Sequence, residues 1–194
     1  MQLFWDRGYE GATFDELATA MGIGASSFHN AFGSKERLYR EATELYLQDM
    51  GNWFTGTLAA YASARDAFQA LIEGAADLFT RCDAPAGCMI SLAGTHCAPA
   101  SDSIREMMAH KRALSEQRMC ERLSRAVLSG ELPPDTDVAA LAAYFGSVFR
   151  GMAVQARDGA GRERLLEIGR LAMRVWPETH APVRRTKRAP LASR

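Results

Sequence analysis

The stretch TFDELATAMGIGASSFHNAFGSKE, residues 13–36, decides the fold that this sequence predicts. It opens with a capping box, because Thr13 and Glu16 have the T-x-x-E spacing in which each side chain accepts from a free backbone amide. A helix therefore starts there. Apolar residues follow at the spacing of one helix face, at Phe14, Leu17, Ala18 and Met21. Gly22 suits the left-handed conformation that commonly ends a helix.

A second short helix follows this turn, over residues 25–32, and is predicted to end at Gly33. Two short helices joined in this way predict a helix-turn-helix. The second helix of such a unit can enter the major groove of DNA, which is wide enough to admit it. Helical hairpins of this shape also occur in ordinary bundles, so the spacing alone leaves both interpretations open.

The rest of the chain also shows a helical period, and no segment predicts a strand. The first helix is predicted to end at Gly8. Further helices are predicted from Ser34, from Ser63, over 88–98, from Ser101 to Ser129, over 136–156 and from Gly161 to Trp176. In the last of these, Leu165, Ile168, Ala172, Val175 and Trp176 are expected to face inward. The predicted fold class is all-α. It comprises an N-terminal three-helix helix-turn-helix domain at 1–45, a helical body at 46–177, and a basic tail at 178–194 that is expected to be disordered.

Composition agrees with a globular protein, because 47% of the 194 residues are hydrophobic. No signal peptide is predicted, since Trp5, Asp6 and Arg7 interrupt any apolar run at the start. No apolar run is long enough to span a bilayer, so we expect a cytoplasmic protein without a membrane partner. The cysteines, Cys82, Cys88, Cys97 and Cys120, fall in segments predicted to be helical and are expected to be reduced, several of them packed in the core.

Signs of catalysis or metal binding are missing from the sequence. It contains no Gly-rich phosphate loop, no G-x-S-x-G and no H-E-x-x-H, so we expect no enzymatic activity. His96 and Cys97 are adjacent, but neighbouring residues on a helix do not face the same way. No other histidine or cysteine completes a site at metal-ligand spacing. Neither a metal nor a cofactor is therefore predicted.

Three short segments resemble the TetR family of helix-turn-helix repressors, in the family's order and at its separations. Residues 4–13, FWDRGYEGAT, resemble the family's opening motif. Residues 14–22 resemble its I-A-x-x-x-G segment, with Leu17-Ala18 as the I-A pair. Residues 27–36, SFHNAFGSKE, resemble T-L-Y-x-x-F-x-S-K-E, with His29 in place of the tyrosine. The body resembles the family loosely, through its number of helices and the segment 87–90.

The resemblance implies a DNA-binding role for several residues around the second helix. Thr13 and Lys35 are expected to contact phosphates at two helix N-termini. Asn30 and Ser27 are expected to face the groove, where asparagine can read adenine through two hydrogen bonds. His29 could donate to a phosphate from its ring. The complete predicted set is Thr13, Ala25, Ser26, Ser27, His29, Asn30 and Lys35. Phe28 and Phe32 are assigned to the core, packed against Leu17, Met21 and Leu38.

Charge is unfavourable for DNA binding at the N-terminus. Residues 1–50 carry four basic and eight acidic groups, and four minus eight is −4. Neutralising phosphates supplies most non-specific affinity for DNA. The family's first helix normally begins earlier, with basic residues ahead of it, so the first helix here is short at its N-terminus by comparison. The tail offers other basic residues, at Arg184, Arg185, Lys187, Arg188 and Arg194. Contact with DNA and a solvated end remain alternatives for it.

The resemblance also implies a homodimer and a small-molecule site. The last two helices are expected to form a four-helix bundle with their copies, through Phe145, Gly146, Phe149, Leu165, Ile168, Ala172 and Trp176. An effector is expected between the middle helices, at Phe79, Cys88, Thr95, His96, Met107, Met108, Phe145 and Phe149. Such a site suits a mainly apolar compound with one or two polar groups. Each of these residues is equally explained as core.

The function predicted from these features is a ligand-responsive, dimeric repressor. It binds a palindromic operator in double-stranded DNA, and a small, mainly apolar effector releases it. Two alternatives stay open. One is a helical small-molecule-binding or scaffold dimer without DNA binding, which the acidic N-terminus favours. The other is a thiol-based redox-sensing repressor, with Cys88 as the candidate switch.

Overall fold

A computed structural model describes residues 1–95 and 97–178, in which all regular secondary structure is helical and no strand is present. The prediction of an all-α fold is confirmed. The α-helices are α1 (Gln2–Gly11), α2 (Phe14–Met21), α3 (Ala25–Phe32), α4 (Lys35–Ala60), α5 (Ala64–Phe79), α6 (Met89–Leu92), α7 (Asp102–Leu128), α8 (Val138–Arg157) and α9 (Arg162–Ala172). Two short 3₁₀ turns lie at Pro99–Ser101 and Met173–Val175.

Local signals in the sequence set the ends of the first four helices. In α1 the helical backbone breaks at Gly8, whose φ is 70°. The capping box before α2 is present, with the Glu16 amide donating to Thr13 Oγ1 (3.3 Å) and the Thr13 amide donating to Glu16 Oε2 (3.0 Å). Gly22 ends α2 in the left-handed region. Ser34 caps α4 by accepting from the Arg37 amide at 3.1 Å.

Aromatic side chains hold the N-terminal helices together. Phe28 of α3 is fully buried, and its ring centroid lies 4.4 Å from that of Phe14. Phe4 and Tyr39 pack edge to face with centroids 4.8 Å apart, which joins α1 to α4. The predicted core position of Phe28 is therefore observed. Phe32 is half-buried against Phe28, whereas Met21 is 37% exposed.

A second core fills the body between α5, α7, α8 and α9. Its fully buried members include Phe68, Leu71, Phe145 and Leu165. The predicted boundary at residue 45 falls inside α4, whose first half packs in the N-terminal core and whose second half packs against the body. The short α6 contributes Met89, Ile90 and Ala93 to the N-terminal core, so the two units are joined by α4 and α6.

The helix predicted over 88–98 is wrong in extent. Only Met89–Leu92 is helical, because Gly94 turns the chain with φ at +71° and packs against Met108. Cys97 therefore lies outside a helix. Cys88 is the N-cap of α6, and Cys82 lies in a turn before it. Cys120 alone of the four sulfurs sits within a helix among the described residues.

Three local details near the C-terminal helices were not predicted from the sequence. Ser101 precedes α7 but makes no side-chain cap. The cap of α8 is Asp137, which accepts from the Ala140 amide at 2.9 Å. Val175 is 49% exposed, although it was expected to face inward. It lies in the 3₁₀ turn after α9, where the change in helix pitch rotates it away from the core.

Within the described ranges, α8 alone has the length and composition of a helix that could cross a membrane. A single helix of this kind is weak evidence for a membrane span. One face of α8 is buried in the body core through Phe145, Met152 and Ala153.

Candidate functional site: the α3 face and the body cavity

The outer face of α3 is polar and exposed to solvent. Ser26, Ser27 and Asn30 are all exposed, while Phe28 on the opposite side is buried. No hydrogen bond from any of the three side chains to another residue is present in the described part of the chain. Ala25 is exposed at the first helical position, after the N-cap Gly24. This face can therefore offer donors and acceptors to a base edge without breaking an internal contact.

His29 is held in place beside this face. Its ring stacks on Phe14, with centroids 5.2 Å apart and planes inclined at 21°. Its Nδ1 lies 3.3 Å from the Gly33 carbonyl oxygen. If Nδ1 carries the proton of the neutral ring, it donates to that carbonyl and Nε2 is left as an acceptor. Donation to a phosphate then requires the doubly protonated ring.

The two predicted phosphate contacts, Lys35 and Thr13, differ in the contacts that their side chains already make within the protein. The Lys35 ammonium lies over the Tyr9 ring, 4.6 Å from its centroid. The Thr13 hydroxyl donates to Glu16 Oε2 at 2.8 Å and accepts from the Glu16 amide. Hydrogen bonds to the Glu16 carboxylate from the Thr13 amide and from the Thr13 hydroxyl, with an ion pair to Arg7, hold the pKa of Glu16 below its usual value. Thr13 can thus assist an anion through the backbone amides at the start of α2 rather than through its hydroxyl.

Tyr9 was given no individual role on the basis of the sequence. It lies 26 positions before Lys35, but α1 crosses the start of α4 and brings the ring under the ammonium. The tyrosine belongs to the motif FWDRGYEGAT, which was its only signal in the sequence.

Much of the acidic charge of residues 1–50 faces the body instead of α3. Glu10 accepts from the Ala98 amide at 3.2 Å, and Glu36 accepts from Ser103 at 3.0 Å and from Arg40 at 2.7 Å. Hydrogen bonds from Arg40 and Ser103 lower the pKa of Glu36. Glu44 pairs with Lys111 of α7. The net charge of −4 is therefore not concentrated on the face that α3 presents.

A cavity lies in the body between α4, α6, α7 and α8. Its apolar wall is formed by Met50, Trp53, Phe54, Phe79, Met119 and Phe149, and its volume is about 90 Å³. Its polar atoms come from Tyr46, Cys88, Ser91, Ser115, Glu116 and three arginines, Arg112, Arg118 and Arg150. The Tyr46 hydroxyl donates to Cys88 Sγ at 3.3 Å.

The structure brings three predicted effector contacts, Phe79, Cys88 and Phe149, together on this cavity. The other predicted effector contacts that the structure describes lie outside this cavity. Phe145 and Met108 are fully buried in the two cores, and Met107 receives a hydrogen bond from Arg40 at 3.3 Å. Thr95 is exposed beside a different depression, next to α1. His96 lies outside the described residues, as do all five basic residues of the predicted tail contact.

The predicted dimer contacts lie mostly inside one protomer. Phe145, Leu165, Ala172 and Trp176 are buried in the body core, and Gly146 and Phe149 line the cavity. Ile168 is half-buried. An apolar helix face can pack on its own protomer or on a copy, and periodicity does not distinguish them. The apolar residues left exposed on α8 and α9 are a different set, Tyr144, Val154, Leu171 and Val175.

Two other thiols, Cys97 and Cys120, are poor candidates for reactive groups. Burial and the nearby Glu10 raise the pKa of Cys97, and burial and Glu116 raise the pKa of Cys120. A raised pKa keeps the thiol protonated, and the thiolate is the reactive form. Among the residues described, no group of three or more His, Cys, Asp or Glu side chains could hold a metal ion.

Comparison with known proteins identifies this arrangement. Residues 1–42 match the family described as "Bacterial regulatory proteins, tetR family", and residues 64–167 match "Tetracyclin repressor-like, C-terminal domain". The chain belongs to the TetR family. It is a transcriptional regulator and not an enzyme. The helix-turn-helix at α2 and α3 is the family's DNA-binding unit. Most residues that line the cavity lie in the part that matches the family's C-terminal domain, and the others come from α4.

Individual TetR-family relatives resemble this chain over most of its length. It is 31% identical to the HTH-type transcriptional repressor ComR of Escherichia coli, over 92% of this chain and 85% of ComR. A cysteine mutant of the regulator CifR, solved with a 26-base-pair operator DNA, shares 39% identity at a TM-score of 0.88. That match covers 91% of this chain and 92% of the CifR chain. A regulator from Rhodococcus sp. RHA1 is 32% identical at a TM-score of 0.63, covering 91% and 94% of the two chains.

Proposed function

We propose that this regulator is a dimeric transcriptional repressor that binds a palindromic operator and is released by a small effector in the body cavity. The observation that carries the DNA-binding step is the exposed polar face of α3, formed by Ser26, Ser27 and Asn30 with Phe28 buried behind it. The operator complex of CifR supports the proposal, because that protein shares the fold and 39% of the aligned residues. Such a protein acts in the cytoplasm, where bacterial operator DNA lies.

The base-reading roles fall to Asn30 and Ser27. Asparagine makes two hydrogen bonds to adenine in the major groove, and serine can serve either base type. Lys35, with the helix amides that follow Ser34 and Thr13, would bind the phosphates on either side. His29 adds a contact beside Gly33, either as an acceptor or, when protonated, as a phosphate donor.

The dimer that this function requires would use the exposed apolar face of α8 and α9. Tyr144, Ser147, Gly151 and Val154 follow one another at intervals of three or four along α8, on the side opposite its buried residues. Leu171 and Val175 continue that apolar surface from α9 and the turn after it. A two-fold interface of this kind places two copies of α3 at a fixed separation, which is why the operator should be palindromic.

Release would follow from differential binding to two conformations of the body. A ligand shifts the equilibrium only as far as its affinities for the two states differ. The cavity touches both α4 and α6, the two elements that connect the body with the N-terminal core. A ligand seated there can therefore bias the separation of the two α3 helices.

A thiol-based sensor is the second candidate, and one observation favours it. Cys88 lines the cavity and receives the Tyr46 hydroxyl at 3.3 Å, so an oxidant or electrophile entering the cavity meets this sulfur. The two candidates share the DNA-binding step and differ in whether release follows reversible binding or covalent modification of Cys88.

The test is binding to DNA from the region flanking the protein's own gene, measured by fluorescence anisotropy over a salt series. We expect tight, salt-sensitive binding by the wild-type dimer. Asn30→Ala should weaken it by about 1–3 kcal/mol and relax the preference at one base position. Ser124→Ala, an exposed residue of α7, is the matched control and should bind as the wild type does. Equal affinity for the flanking DNA and random DNA would contradict the proposal.

A further inference from the structure

The polar part of the body cavity is strongly unbalanced in charge. Its described lining residues include three arginines, Arg112, Arg118 and Arg150, of which Arg118 is exposed to solvent, and a single carboxylate, Glu116. That carboxylate is 3.9 Å from Arg150 Nη1 and both side chains are more than a third exposed, so the pair is weak. Two positive charges of the cavity are left without a carboxylate, which an anionic ligand would match.

Arg112 is the arginine best placed to receive such a group. Its side chain is half-buried, and burial followed by the neighbouring Arg150 lowers its pKa. No carboxylate of the described residues lies within 4.0 Å of its guanidinium. Placing a cation in a poorly solvated site beside another cation is costly. An anion in the cavity would relieve both the desolvation and the repulsion.

The guanidinium of Arg112 is oriented for this role by α6. Its Nη1 donates to the carbonyl oxygens of Ile90 (3.0 Å) and Ala93 (2.7 Å), at the C-terminal end of that short helix. These bonds use one of the three nitrogens. Nε and Nη2 donate to no other described residue, although guanidinium carries five donors in a planar fork. The free edge of the fork is the geometry that binds a carboxylate through two parallel hydrogen bonds.

The rest of the cavity limits what the anion can be. Trp53, Phe54 and Phe149 supply apolar and aromatic surface, so the ligand needs an apolar part as well as its charge. The volume of about 90 Å³ is smaller than the ~150 Å³ cavity that holds a benzene ring. The ligand is therefore small, or it displaces the flexible side chains of Met50 and Met119.

We propose that the cavity binds a small organic carboxylate, with its charge on Arg112 and its apolar part against Phe149 and Trp53. The inference deepens the proposed function, because it names the chemical class of the effector and rests on the cavity being the effector site. It also gives α6 a part in the response. A carboxylate that draws Arg112 toward itself loosens the Ile90 and Ala93 carbonyls, and α6 packs through Met89 and Ile90 against α1 of the DNA-binding domain.

The experiment compares propionate with propionamide by isothermal titration calorimetry on the purified full chain without DNA. The two probes have nearly the same shape, are smaller than benzene and differ in charge. We expect propionate to bind about tenfold or more tightly than propionamide. Arg112→Gln should abolish that preference while leaving propionamide binding unchanged. Arg125→Gln removes an exposed arginine of the same helix outside the cavity and is the control that should keep the preference.

A second variant keeps the proposal testable if Arg112→Gln does not fold. Glu116→Gln removes the one carboxylate among the described lining residues and should strengthen propionate binding, a gain that loss of structure cannot imitate. Equal binding of the two probes, unchanged preference in Arg112→Gln, or no binding of propionate in the millimolar range would each overturn the inference. Because calorimetry uses no DNA, a protein that fails to bind its operator can still pass this test, and the two failures are distinct.

Discussion

At the scale of single residues, Lys35 is the proposed phosphate contact whose side chain the fold already restrains. Its ammonium lies over the Tyr9 ring, an interaction worth about 0.5–1 kcal/mol at an exposed site. The ring restrains the long side chain at the first position of α4, near the helix amides. We therefore expect Lys35 to lose less side-chain entropy on binding a phosphate than a freely rotating lysine would.

Lys35→Gln should therefore weaken binding to the operator and to random DNA by similar factors. A phosphate contact carries no sequence information, and its loss should reduce the salt slope by about 1 per protomer. The measurement is the affinity for both DNAs at several salt concentrations, with Arg125→Gln as the control for removing a positive charge elsewhere. A changed preference among operator variants, with an unchanged slope, would show that Lys35 reads bases instead.

At the scale of helices, the corner between α4 and α5 is held by two charged side chains from distant parts of the chain. Arg122, 7% exposed, donates to the carbonyl oxygens of Leu58 (3.1 Å), Tyr61 (3.2 Å) and Ala62 (2.9 Å) at the end of α4. Glu131 accepts from the amides of Ala64 (2.8 Å) and Arg65 (3.0 Å) at the start of α5. Each helix end thus has partners for groups that the helix itself leaves unpaired.

Glu131→Gln should lower the free energy of unfolding by about 1–2 kcal/mol at neutral pH, since a charge-assisted acceptor becomes a neutral one. Burial raises the pKa of Glu131, but hydrogen bonds from Ala64, Arg65 and Ser63 outweigh it and leave the pKa below its usual 4.5. The stabilising contribution of the Glu131 carboxylate is therefore complete above pH 4.5. It is lost as the pH falls through the lower pKa of Glu131 in the folded protein. The deficit of the variant should shrink in that window.

Urea unfolding at several pH values measures this deficit, and Glu121→Gln, an exposed carboxylate on α7, is the matched control with no expected pH-dependent difference. A deficit that stays constant below pH 4.5 would mean that the carboxylate charge does not stabilise the corner.

At the scale of the whole molecule, the proposed dimer accounts for the apolar surface that one protomer leaves uncovered. Leu171 is 60% exposed on α9, and Tyr144 and Val154 lie on the outer face of α8. The buried faces of the same helices pack closely on α5. There a Cβ added to Gly169 would collide with Ile72, so α9 is fixed against α5 and has only its outer face to offer.

Leu171→Glu should raise the dissociation constant of the dimer by about 100-fold or more, because a charge would be buried in the interface without a partner. Leu128→Glu is the control, since Leu128 is 86% exposed at the end of α7 and lies on neither α8 nor α9. Sedimentation velocity gives the oligomeric state of both variants. A dimeric Leu171→Glu protein would place the interface on another surface.

The sequence by itself determined the local features: the all-α class, the helix-turn-helix and the caps at Thr13 and Ser34. These depend on spacings of three or four residues and on the turn preference of glycine, and both are encoded within a few positions. The resemblance to the TetR family rests on the same 36 residues. Where local signals were mixed, as in 88–98, the prediction of a long helix was wrong.

Only the tertiary structure decided what each apolar face packs against and which charges are buried. Phe145 and Phe149 share one face of α8 with the same periodicity, yet one fills the core and the other lines the cavity. Arg112 and Arg122 look alike in the sequence of α7. Arg112 donates to carbonyl oxygens at the end of α6 beside the cavity, and Arg122 donates to a carbonyl oxygen near the end of α4. Their acceptors lie 19 to 64 positions away in the chain, so no local pattern could have assigned them.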